Sequence, residues 1–174
     1  ASQGKFKEGI SLLEEKAISA SVQDFLDIQL MMADIYEDHE QYNEVFSCLV
    51  RCLEIAPEDV EALDRINYTV EITDRYEESI TIHKQLSDDY PYNEIIWYNL
   101  ASAYRGKSRI DEAIEALEFV IAINENIDYA YQDLAELYLF NGKQDKALEV
   151  LKDFESLFTP DEDIYFLRGQ CYEA

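Results

Sequence analysis

Side chains with reactive or metal-binding chemistry are few and scattered. Cys48, Cys52 and Cys171 form no close Cys-x-x-Cys pair, which argues against a disulfide framework or a structural zinc site. Cys48 and Cys52 share a helix face with Val45, Leu49 and Leu53, so they read as core thiols in a reducing compartment. His39 and His83, the only histidines, stand far apart and read as surface or groove-edge residues. Gly106-Lys107-Ser108 repeats the end of a phosphate-binding loop, but that motif needs a glycine where Ala101 stands, so a helix–turn–helix corner is expected. Asp88-Asp89 and Asp161-Glu162-Asp163 fit no calcium loop and are explained by helix ends. Asn67-Tyr68-Thr69 matches a glycosylation sequon inside a helical stretch and is discounted. No nucleophile–base pair emerges. The expectation is therefore no catalytic residue, no metal and no cofactor.

The elements that carry these residues are helical. Only 5 Gly and 3 Pro interrupt 174 residues, and Leu, Ala, Glu and Ile abound. The 38 acidic against 14 basic residues give a net charge of −24. Such a surface repels nucleic-acid phosphates and anionic headgroups and attracts basic proteins. No apolar run approaches the roughly 20 residues of a membrane span, and no signal peptide is visible, so the expected location is cytoplasmic.

A repeat organises the helices. Tyr104, Tyr138 and Tyr172 are 34 apart, Tyr36 precedes Tyr104 by twice that interval, and Val70 fills the missing beat. Each tyrosine ends an apolar-periodic run, as in Trp97-x-x-Leu100-Ala101-x-x-Tyr104 and Tyr131-x-x-Leu134-Ala135-x-x-Tyr138. Pro57 and Pro91 keep the same interval. The second helices of the last two full units add Ala113, Leu117 and Val120, then Ala147, Leu151 and Phe154.

This pattern resembles the tetratricopeptide repeat. The resemblance implies an all-α, right-handed superhelical stack of antiparallel helix pairs. Its phase places the second helix of a preceding repeat at 1–20, repeats at 26–59, 60–93, 94–127 and 128–161, and the first helix of a further repeat at 162–174. Small residues at the eighth and twentieth places let backbones approach, and large neighbours fill the space beside them. Asn67, Ser79 and Val70 depart from the pattern, so the 60–93 repeat is expected to be less regular. Val45 replaces the alanine of the twentieth place in the repeat before it. Ser21 is expected to cap the helix after it, Thr159 to open a capping box with Pro160 as first helical residue, and Gly142 to break the last full pair.

In that family the first helices line a concave groove, and five places in each face the partner. In the first two repeats those places hold Asp27, Leu30, Asp34, Glu37, Asp38, Glu61, Asp64, Tyr68, Glu71 and Ile72. In the next two they hold Ile95, Tyr98, Ser102, Arg105, Gly106, Tyr129, Gln132, Glu136, Leu139 and Phe140, and the half repeat adds Asp163, Phe166 and Gln170. The implied groove runs from acidic to aromatic. It suits a protein or peptide with basic and apolar residues, in a non-catalytic interaction module. Leu30 and Ile95 stand where some relatives place the basic residues of a carboxylate clamp, so that mode is not expected. The alternative is a structural segment that self-associates through open helical ends, or a regulatory part of a larger protein.

Overall fold

A computed structural model describes residues 2–173 of the chain. Among them lie ten helices and no strand: α1 (Ser2–Ala17), α2 (Val22–Glu37), α3 (Tyr42–Ile55), α4 (Val60–Thr73), α5 (Tyr76–Asp89), α6 (Glu94–Gly106), α7 (Ile110–Ile123), α8 (Asp128–Phe140), α9 (Gln144–Leu157) and α10 (Glu162–Glu173). The all-α class is as expected. Ala1 and Ala174, the outermost residues of the expected segments 1–20 and 162–174, lie outside the described residues.

The helices form two compact units, Ala1–Arg75 and Tyr76–Ala174. The division falls inside the 60–93 segment, where the repeat pattern is weakest. In the first unit α1 packs on α2, α2 on α3, and α3 on α4. Met32, Ala33, Val45, Leu49, Leu63 and Ile66 are at most 1% exposed there. Each aliphatic side chain so buried contributes about 1.5–3 kcal/mol. Cys48 and Cys52 are buried with them, as expected. Burial pushes their thiols up to about 11 and about 12, so both stay protonated and unreactive at neutral pH.

In the second unit α5 packs on α6, α6 on α7, α7 on α8, α8 on α9, and α10 on both α8 and α9. Ala113, Ala135 and Ala147 are fully buried and Ala101 nearly so. Leu117, Leu134 and Leu151 fill the space around these close approaches. His83 corrects the sequence reading: it is fully buried, not at a surface or groove edge. It occupies the place that Leu49, Leu117 and Leu151 hold in the other repeats. Its Nδ1 lies 2.9 Å from the Ser79 carbonyl and 3.1 Å from the Ser79 hydroxyl, and its Nε2 lies 3.3 Å from the Asn99 side-chain amide. Burial pushes its pKa down to about 4, so it is neutral at physiological pH.

Local chemistry sets the helix ends. Ser21 accepts from the Asp24 amide as expected, Asp59 from the Ala62 amide, and Asn93 from the amides of Ile95 and Ile96. At α10 the cap is Asp161, which accepts from the amides of Asp163 and Ile164. The helix thus starts later than the Thr159 capping box predicted. Among the described residues four have a left-handed backbone: Glu40, Asp74, Ser108 and Gly142, with φ of 56°, 57°, 57° and 68°. They stand 34 residues apart, each just after the first helix of its repeat. At three of them the following amide bonds back to the repeat tyrosine's carbonyl: Gln41 to Tyr36, Arg109 to Tyr104 and Lys143 to Tyr138, at 2.8–2.9 Å. This is the Schellman ending of a helix. Only the turn at Gly142 uses glycine.

Candidate partner-binding site

The expected partner-facing residues divide between the two units. On the first unit, α2 carries Asp27, Leu30, Asp34 and Glu37, with Asp38 as its C-cap, and α4 carries Glu61, Asp64, Tyr68 and Glu71. Asp27, Asp34, Asp38, Glu61, Asp64, Tyr68 and Glu71 are exposed, while Leu30 and Glu37 are half-buried. Arg65, which the sequence reading passed over, gathers three of the acids. Its guanidinium lies 2.9 Å from Asp34, 2.8 Å from Glu37 and 3.2 Å from Glu61. Burial opposes the charge of Arg65, but hydrogen bonds and charge from Glu37 and Asp34 outweigh it and hold its pKa above the ordinary value. Asp64 and Glu71 are not among its ligands.

On the second unit, α6 carries Ile95, Tyr98, Ser102 and Arg105, and α8 carries Tyr129, Gln132, Glu136 and Leu139. Asp133, also passed over, ties the two helices together. It accepts from the Tyr98 hydroxyl at 2.8 Å and from Arg105 at 3.0 Å. Burial first, then the charge and hydrogen bond of Asp133, hold the Tyr98 phenol protonated well above its usual range. The Tyr98 and Tyr129 rings meet edge to face at 4.8 Å between centroids. Ile95, Gln132 and Leu139 are half-buried and Glu136 is exposed. Ser102 is buried, so its hydroxyl offers little to a partner. Phe140 and Phe166 are 77% and 66% exposed. Rings this large left in water are the anchors that protein interfaces favour.

A single signal would have found both missed residues. Arg65 and Asp133 occupy the sixth place of their repeats, the place Asn99 holds in the repeat between them. Among the described residues, no three His, Cys, Asp or Glu side chains converge as metal ligands, and no helix is long and apolar enough to cross a membrane. Arg105 to Ser108 forms a corner where α6 ends at Gly106 and Ser108 turns left-handed, as expected.

The family model described as the tetratricopeptide repeat matches residues 26–59 and 95–127. The sequence matches none of the curated proteins. Among solved structures, one described as the crystal structure of MamA protein superposes with a TM-score of 0.70 at 24% identity, over 85% of this chain and 81% of that one. A MamA fragment, 41-end, from Desulfovibrio magneticus RS-1 gives 0.65 at 17% identity, over 89% and 86%. A further crystal structure of MamA gives 0.65 at 20% identity, over 89% and 90%. These likenesses establish the fold. The two matched segments are similar to tetratricopeptide repeats, and the fold of the chain is that of these helical-repeat structures.

Proposed function

We propose that this chain is a non-catalytic binding module for a protein segment rich in basic and apolar residues. Each unit would hold its part of the segment along its own first helices, α2 and α4 in one and α6, α8 and α10 in the other. The observation that carries this reading is the unequal dressing of those helices. Exposed carboxylates on α2 and α4 supply attraction and speed encounter, and exposed rings on α8 and α10 supply anchors. Free, buried thiols agree with a reducing, cytoplasmic setting.

The test is titration of peptides that alternate arginine or lysine with leucine or phenylalanine, across a salt series. Asp64→Lys with Glu71→Lys should weaken binding about tenfold at low salt and flatten its salt dependence. Phe140→Ala with Phe166→Ala should weaken it by at least about 1.4 kcal/mol at every salt concentration. Salt-independent binding, or preference for acidic peptides, would refute the electrostatic half. Self-association is the second reading, favoured by Tyr165, Phe166 and Tyr172, all at least 60% exposed on α10. Light scattering that stays monomeric at high concentration would exclude it.

A further inference from the structure

A different part of α8 opens a second site. Tyr131, Leu134 and Tyr138 form the floor of a cleft of about 270 Å³ between α7 and α9. They hold other places of α8 than Tyr129, Gln132, Glu136 and Leu139, so this cleft is distinct from the face described above. Its walls are Ile121 and Val150. At its rim Glu118, Glu149 and Asp153 set three carboxylates against the single ammonium of Lys146. The Tyr138 hydroxyl donates to Glu118, which fixes that carboxylate beside the ring. The Lys146 ammonium lies 5.1 Å from the centroid of Tyr138. The floor therefore already receives a cation on a tyrosine face.

We propose that this cleft docks an arginine side chain from a partner protein. The arginine's stem would lie against Ile121 and Val150, and its guanidinium would displace Lys146 from Tyr138 and reach Glu149 and Asp153. Size and charge select this occupant. The volume falls just below the roughly 300–1,000 Å³ of drug-sized pockets and suits one long side chain. The surplus of carboxylates calls for a cation. A planar guanidinium can stack on a ring while pairing with two carboxylates, which an ammonium does less well. This site stands independently of the groove proposed above.

The test uses the intact chain and a short capped peptide with two arginines flanking a leucine, against the same peptide with citrulline in both places. Backbone NMR shifts should concentrate at the cleft-lining residues of α7, α8 and α9 with the arginine peptide and be absent with citrulline. Glu149→Gln with Asp153→Asn should weaken binding about fivefold, while Asp64→Asn with Glu71→Asn leaves the cleft shifts unchanged. Lys146→Met, which keeps the stem and removes the competing charge, should tighten binding about twofold. Equal response to citrulline, shifts centred on the first unit, unchanged affinity in the Glu149–Asp153 variant, or an unshifted cleft at millimolar peptide would each overturn the proposal.

Discussion

The two units build the same link with opposite charges. In the first, Glu37 at the end of α2 meets Arg65 in the middle of α4, and in the second, Arg105 at the end of α6 meets Asp133 in the middle of α8. Both pairs are 28 residues apart, because the twelfth place of one repeat faces the sixth place of the next. The surroundings differ. Arg65 is the single cation among three carboxylates, whereas Asp133 is a single carboxylate shared by a guanidinium and a phenol. The difference teaches that counting acids overstates the field a partner meets. Asp34, Glu37 and Glu61 are partly spent on Arg65, and Asp64 and Glu71 are the better levers. On the other unit, Asp133 holds one ring and one guanidinium.

The largest effect should come from the close helix contacts. Ala113→Trp in the second unit should cost more than about 3 kcal/mol, because it separates two backbones rather than merely crowding side chains. Val45→Trp at the matching place of the first unit should cost less, since that contact already accommodates a branched side chain. Calorimetry on the two variants would decide, and an unchanged melting temperature for Ala113→Trp would overturn the assigned packing.

The charge-swapped link comes next. Arg65→Met strands three carboxylates together and should destabilise by about 2 kcal/mol. Asp133→Asn keeps an acceptor for the Tyr98 hydroxyl and should cost about 1 kcal/mol. Denaturant unfolding distinguishes the two. A smaller loss for Arg65→Met than for Asp133→Asn would break the comparison.

A similar magnitude attaches to His83, which stands where the first unit has Leu49. Above about pH 6.5 the residue is neutral in both folded and unfolded chains and contributes no pH dependence. As pH falls from about 6.5 toward about 4, the unfolded chain takes up a proton that the buried site refuses. Stability is then lost at up to about 1.4 kcal/mol per pH unit, or about 2 kcal/mol by pH 5. His83→Leu should remove that slope between pH 6.5 and 5. An identical slope in the variant would assign the effect to other groups.

The smallest effects belong to the turns. Glu40→Gly and Ser108→Gly should each stabilise by about 0.5–1 kcal/mol, because a side chain there holds a left-handed backbone at a cost. Gly142→Ala should destabilise by about 1 kcal/mol for the same reason. Asp74→Gly should gain least, since aspartate tolerates this conformation. Melting temperatures rank the four.

The repeat interval, the all-α class and the close-packing alanines were legible because they are properties of one chain read in order. A helix face recurs every few residues, and a small side chain announces a tight contact wherever it falls. The core thiols of Cys48 and Cys52 were legible in the same way. Tertiary structure alone decided the rest. The sequence reading passed over Arg65 and Asp133, and only the fold brings partners 28 residues away beside them. His83 looked exposed because a polar ring carries no sign of burial, and its acceptance depends on Ser79 and Asn99 meeting it from two helices. The left-handed turns at Glu40 and Ser108 were invisible for a similar reason. Where the following helix must double back, packing of the pair sets the backbone, and the local residue yields to it.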